Sequence, residues 1–135
     1  MKKALIIGFV IIISAISAFS QDSPLQSQKA PVAKLEPTVI VGDLVGVYQK
    51  LETVEIRGSE VDTYLTIKKQ LTEFIETAKK KELKTTDNLK IEMELPMAQN
   101  LLNLMDRAVI QGAEAEGFQR FRQAFIDSAK KLQAK

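Results

Sequence analysis

The chain contains no cysteine and no histidine among its 135 residues. Without them, the sequence cannot provide a disulfide scaffold, a thiol nucleophile, a zinc site built on thiolate or imidazole, or an imidazole base. The di-iron sites of four-helix bundles also need histidine, in a Glu-x-x-His pattern. A phosphate-binding loop, a dinucleotide fingerprint and a calcium loop are missing as well. We therefore expect no enzymatic activity, no metal and no cofactor.

An excess of charge of one sign is also missing once the first 20 residues are set apart. Two of the 19 basic residues, Lys2 and Lys3, lie in that segment, and all 17 acidic residues follow it. The rest of the chain therefore carries equal numbers of basic and acidic residues. A neutral chain has no general attraction to nucleic acid or to an anionic membrane. We expect neither of them as a partner.

Residues 1–20 have the three-part pattern of a secretory signal peptide. The start is basic, residues 4–16 are apolar apart from two small residues, and Ala18 and Ser20 stand where a signal peptidase needs small side chains. This pattern predicts cleavage before Gln21. The alternative is an uncleaved anchor, but the apolar run is shorter than the roughly 20 residues that a spanning helix needs. We expect a bacterial periplasmic or secreted protein that keeps no stable membrane anchor.

Residues 21–38 hold three of the four prolines of the chain, Pro24, Pro31 and Pro37, among polar and small residues. Proline fixes its own φ and disfavours helix in the residue before it. We interpret this segment as a flexible linker. The foldable domain is then expected over residues 39–135.

Within this domain, two segments match when the chain is shifted by 54 residues. Residues 56–60 and 110–114 both read I-x-G-x-E, and the apolar residues on either side coincide at spacings of three and four. Such spacings indicate one face of a helix. An internal duplication explains the match, and so do two hairpins that converged. Both explanations predict two helical hairpins, at residues 39–81 and 91–135.

The I-x-G-x-E motif is expected to form the turn of each hairpin. Gly58 and Gly112 can adopt the left-handed conformation that ends a helix, or allow a close approach of the backbone. Ser59 is suited to cap the next helix. Glu60 and Glu114 then lie in a first helical turn, where the positive end of the helix dipole favours an acid. Carboxylate pairs also serve glycosidases and two-metal sites, but we interpret these residues as structural.

The two hairpins predict a mainly α-helical fold, a four-helix bundle around one apolar seam. Residues 38–41 and 90–95, at the start of each hairpin, look extended, and the second segment alternates charged and apolar residues. We therefore also expect two short β-strands at one end of the bundle. Two such strands are marginal alone and need the helices beneath them.

A stripe of large apolar side chains follows each turn at helical spacing. We interpret the stripe as the core of the hairpins, and the alternative is the lining of a pocket for an apolar ligand. Its members are Tyr64, Ile67 and Leu71 in the first hairpin, and Phe118, Phe121 and Phe125 in the second.

With no catalytic motif, the sequence favours a function exerted through contact. We expect an exported interaction or structural module that binds a protein partner or a second copy of itself, since small helical hairpins often bury apolar surface by association. The alternative is a periplasmic carrier that holds an apolar ligand between the hairpins.

Overall fold

The computed structural model describes residues 31–135. The expected signal peptide and the first ten residues of the expected linker lie outside the described residues. Within residues 31–135, the structure confirms the predicted mainly helical bundle, which carries two short antiparallel strand pairs.

Four α-helices and four short strands follow one another in this part of the chain, and the second set repeats the order of the first. The order is β1 (Lys34–Leu35), β2 (Thr38–Ile40), α1 (Val41–Leu51), a 3-10 turn (Gly58–Glu60), α2 (Val61–Lys80), β3 (Asn88–Lys90), β4 (Met93–Glu94), α3 (Leu95–Met105), a second 3-10 turn (Gly112–Glu114) and α4 (Ala115–Gln133). We refer to residues 32–80 as the first half and to residues 88–135 as the second half.

The strands pair between the halves. β1 lies antiparallel to β4, with Lys34 opposite Glu94. β2 lies antiparallel to β3, with Ile40 opposite Asn88. A shift of 54 residues converts one pairing into the other, so the two small sheets have the same register. The halves are thus related by an approximate two-fold arrangement, while a common ancestry of the halves stays a prediction.

The core lies between the helices and under the two sheets. α1 packs against α2 and α4, and α4 also covers β1 and β2. Residues at equivalent positions of the two halves are both buried in this core, because equivalent helices and strands present the same face inward. These pairs are Leu35 and Leu89, Val39 and Met93, Leu44 and Ala98, Val47 and Leu101, Leu51 and Met105, Ile67 and Phe121, and Leu71 and Phe125.

The folded chain begins before residue 39, which we expected as its start. Leu35, Pro37 and Val39 are buried and alternate with exposed residues, which is the period of a strand with one buried face. Pro37 lies between β1 and β2, where its missing N–H breaks no ladder bond. Its carbonyl oxygen still accepts the N–H of Ile91 at 3.0 Å. The end of the expected linker therefore contains β1 and the start of β2, each of which pairs with a strand of the second half.

The C-terminal end of α2 is an unusual turn around Glu82. The N–H of Leu83 donates to the carbonyl of Ala78 at 3.0 Å, and the N–H of Glu82 donates to the carbonyl of Lys79 at 3.0 Å. These two bonds define a Schellman motif, which places Glu82 in the left-handed region with φ of 54°. Glycine normally takes this place because a Cβ atom is strained there.

Candidate functional site

Glu60 and Glu114 close the two turns in the same way. A carboxylate oxygen of Glu60 accepts the N–H of Arg57 at 2.8 Å, and that of Glu114 accepts the N–H of Gln111 at 3.1 Å. In return, the N–H of each glutamate donates to the carbonyl of the same partner residue at 2.9 Å. This reciprocal pair of bonds accounts for a glutamate at the end of each I-x-G-x-E motif.

Two details of the turns differ from our expectation. Gly58 and Gly112 do not adopt the left-handed conformation, since no glycine between residues 31 and 135 has a positive φ. A Cβ atom at either glycine meets nothing within 4 Å. Ser59 does not cap α2, whose N-terminus has no side-chain capping bond, because Glu60 closes the turn instead.

Each turn glutamate also binds a cation from the opposite half. The guanidinium of Arg107 lies 3.1 Å from Glu60, and the ammonium of Lys50 lies 2.7 Å from Glu114. The pKa of Glu60 is lowered mainly by the N–H of Arg57 and then by Arg107. The pKa of Glu114 is lowered mainly by Lys50 and then by the N–H of Gln111. The turns therefore join the halves electrostatically.

The lowered pKa values predict a stability that depends on pH in the acid range. A carboxyl group whose pKa is lower in the folded protein stabilises the fold above its unfolded pKa, and this contribution is lost as the pH falls through the folded pKa. We expect the free energy of unfolding to decline between about pH 5 and pH 3. The double variant Glu60→Gln, Glu114→Gln should show a shallower decline in urea titrations.

Glu76→Gln is the matched control for this experiment, since Glu76 is an exposed carboxylate of α2 away from both turns. Its acid profile should follow that of the unchanged protein. Identical profiles for the double variant and the unchanged protein would show that the two turns contribute nothing to the acid sensitivity.

The apolar stripe divides into core residues and groove residues. Ile67, Leu71, Phe121 and Phe125 are at most 1% exposed. The rings of Phe121 and Phe125 pack with their centroids 5.1 Å apart. Tyr64 and Phe118, at equivalent positions, are half-buried and line surface grooves instead.

The larger of these two grooves lies between α1 and the start of α4, and we call it the glycine groove. Its volume is about 270 Å³. Val47 and Phe118 give it an apolar wall, and Gly42, Gly46 and Gly117 also line it. A Cβ atom at Gly46 would meet only open space.

The smaller groove lies at the equivalent place between α3 and the start of α2, and we call it the companion groove. Its volume is about 130 Å³. Asn100, Thr63 and Leu104 line it, at the positions equivalent to Gly46, Gly117 and Lys50. The glycine groove is therefore the larger one, and it has glycines, Gly46 and Gly117, where the companion groove has the side chains of Asn100 and Thr63.

A bidentate ion pair spans the glycine groove. The guanidinium of Arg120 donates to both carboxylate oxygens of Asp43, at 3.0 and 2.9 Å. The side chain of Asp43 is only 9% exposed. Asp43 raises the pKa of Arg120 by this hydrogen bond and by its charge. The absence of a side chain at Gly117 allows the pair to form, because a Cβ atom there would lie 2.6 Å from Asp43 Oδ1.

Lys50 and Glu114 form a second ion pair on the wall of the groove. Glu116 also lines it and makes no ion pair with residues 31–135. The groove therefore combines an apolar wall with charged groups that are largely paired with each other. Such a surface is suited to contact with a polypeptide, which offers apolar and polar groups together.

The groove was not predicted from the sequence, although two of its lining residues, Glu114 and Phe118, were predicted turn and stripe residues. The spacing of Gly42 and Gly46 is visible, but it resembles a helix-packing motif. In the structure, a Cβ atom at Gly46 meets nothing within 4 Å, so no other helix packs on this residue. Asp43 and Arg120 are 77 residues apart, and no sequence signal joins them.

A Ser-x-x-Lys spacing occurs on α4, at Ser128 and Lys131. The hydroxyl of Ser128 accepts the N–H of Glu36 at 2.9 Å. This bond fastens the segment between β1 and β2 to α4.

Across residues 31–135, no three acidic side chains come together as metal ligands. None of the helices described is both long and apolar enough to span a membrane. Comparisons of the chain with protein-family models, curated proteins and solved structures found no match.

Proposed function

We propose that the folded unit is a protein-interaction module and that the glycine groove is its contact site. One observation carries the proposal: of two grooves at equivalent positions, the larger has in its wall a glycine, Gly46, that the fold itself does not require.

Gly46 supports this proposal most directly. It lies inside α1 without a positive φ, and a Cβ atom would meet only open space. Glycine inside a helix lowers stability by about 0.5–1 kcal/mol relative to alanine. Neither the backbone conformation nor the packing at Gly46 requires glycine and so explains this loss of stability. An open groove does require a residue without a side chain at this position.

The composition of the groove supports a polypeptide as the occupant. Lys50 and Arg120 are already paired with Glu114 and Asp43, so the walls do not call for a highly charged ligand. The half-buried ring of Phe118 offers an apolar contact beside them. Half-buried aromatic residues surrounded by polar groups are typical of protein interfaces.

The proposal predicts opposite effects of Gly46→Gln on stability and on binding. Glutamine favours a helix over glycine, so the free energy of unfolding should rise by about 0.5 kcal/mol. The same side chain occupies the groove, so affinity for the partner should fall tenfold or more. The tagged protein is used to capture a partner from the exported proteins of the source cells, and this partner is then titrated against each variant.

Asn100→Gln is the matched control, because it places the same side chain at the equivalent position of the companion groove. It should leave affinity for the partner unchanged. Equal affinity of the partner for both variants and for the unchanged protein would contradict the glycine groove as the contact site.

A carrier of an apolar ligand has less support. Ile67, Leu71, Phe121 and Phe125 fill the space between the hairpins in which such a ligand would lie. The two grooves lined by the other residues of the stripe have charged groups in their walls.

A further inference from the structure

The two halves depend on each other for all their strand pairing within residues 31–135. β1 pairs with β4 and β2 with β3, and each pair joins one half to the other. The starts of the helices follow the same rule. Leu95, which opens α3, donates its N–H to the carbonyl of Ala33 at 2.8 Å. Val41, which opens α1, donates its N–H to the carbonyl of Asp87, directly before the second half, at 3.0 Å. Neither half satisfies these backbone groups alone.

Ion pairs add to this mutual dependence. Five of the seven ion pairs within residues 31–135 join one half to the other. Each half contains one of the remaining two, and these two lie at equivalent positions. The five are Lys34 with Glu92, Lys90 with Glu36, Lys50 with Glu114, Arg107 with Glu60 and Arg120 with Asp43. The other two are Lys68 with Glu52 and Arg122 with Asp106.

The connection between the halves turns at residues whose sequence also suits a helix. In the structure, residues 81–84 turn the chain back, with Glu82 in the left-handed region. The same sequence, Lys-Glu-Leu-Lys, consists of residues that favour a helix. Continuing α2 through these residues would relieve the strain at Glu82, but it would carry the second half away from the first.

We propose that two chains exchange their second halves by straightening residues 81–84, so that the chain forms a dimer with a second copy of itself. In the exchanged dimer, each first half pairs with the second half of the other chain. Every strand pair, interhalf ion pair and interhalf bond at a helix start described above is kept. The changes are confined to residues 81–84 and their own contacts, which include the packing of Leu83 against the core and the bond from the N–H of Lys84 to Asp87. Exchange of an identical element is a low-cost route to a dimer. This proposal is independent of the glycine groove.

A cysteine pair placed across β2 and β3 distinguishes exchange from association of closed chains. Thr38 and Lys90 are opposite and exposed, and they follow the pair at which Ile91 donates to Pro37. Because hydrogen-bonded and non-bonded pairs alternate, Thr38 and Lys90 form a close, non-bonded pair that suits a disulfide. The chain has no other cysteine.

The variant Thr38→Cys, Lys90→Cys is refolded at millimolar concentration and then oxidised. Exchange predicts dimers linked by disulfides that survive a denaturing, non-reducing gel, and dilute refolding predicts single chains with an internal disulfide. Internal disulfides alone at both concentrations, even in chains that associate, would overturn the proposal.

Two substitutions of Glu82 in the chain without cysteine test the role of the turn. Glu82→Gly accepts the left-handed conformation and disfavours a continuous helix, so it should lower the dimer fraction by roughly tenfold or more. Glu82→Thr keeps a polar side chain but resists a positive φ, so it should raise this fraction. Light scattering after refolding at equal concentration gives the fractions, and equal fractions for the unchanged chain and Glu82→Gly would contradict the proposal.

Discussion

Replacing Phe121 with alanine is expected to lower the free energy of unfolding by about 3–5 kcal/mol. The ring is 1% exposed and packs on the equally buried Phe125, so its removal leaves a cavity that rigid neighbours fill only in part. Such a loss is a large share of the stability of a small domain. Urea denaturation followed by circular dichroism measures it.

Phe118→Ala is the matched control for this substitution. Phe118 lies one turn before Phe121 on α4, but it is half-buried in the wall of the glycine groove. Its loss removes less buried surface, so its cost should be clearly smaller. An equal loss of unfolding free energy in the two variants would mean that Phe118 belongs to the core as fully as Phe121 does.

Gly42→Ala should destabilise the protein by about 1–3 kcal/mol, although alanine is the better helix former. A Cβ atom at this position would lie 2.9 Å from the carbonyl oxygen of Thr85. The same oxygen accepts the N–H of Gly42 at 2.8 Å, so the backbone cannot retreat without losing this bond. Thermal unfolding of the variant measures the effect.

Gly46→Ala in the same helix is the comparison that isolates the contact. With nothing within 4 Å of its Cβ atom, only helix propensity acts, and this variant should gain about 0.5–1 kcal/mol. Changes of the same sign in the two variants would show that the contact with Thr85 does not limit position 42.

Helical periodicity predicted the helices and the core residues well. Ile67 and Leu71 in α2, and Phe121 and Phe125 in α4, lie one helical turn apart, and their shared face is buried as the spacing indicates. The I-x-G-x-E motifs also marked both turns, because the glutamate three residues after Arg57 or Gln111 closes each turn through purely local bonds.

Features that depend on distant residues were not predictable in this way. Leu35 and Pro37 were predicted as linker because proline signals an irregular chain, and only the pairing with the second half makes this segment part of a sheet. The left-handed residue at Glu82 has no sequence signal, since the preference at this place is for glycine.

The aromatic residues around Lys68 have a consequence for spectroscopy. The chain has two tyrosines and no tryptophan. Both tyrosines belong to the first half, with the ammonium of Lys68 5.2 Å from the ring of Tyr48 and 5.8 Å from that of Tyr64. The hydroxyl of Tyr64 donates to the carbonyl of Leu51 at 3.0 Å. Intrinsic ultraviolet emission therefore reports on the surroundings of α1 and α2, and a fluorophore introduced into α3 or α4 would be needed to observe the other half of the molecule.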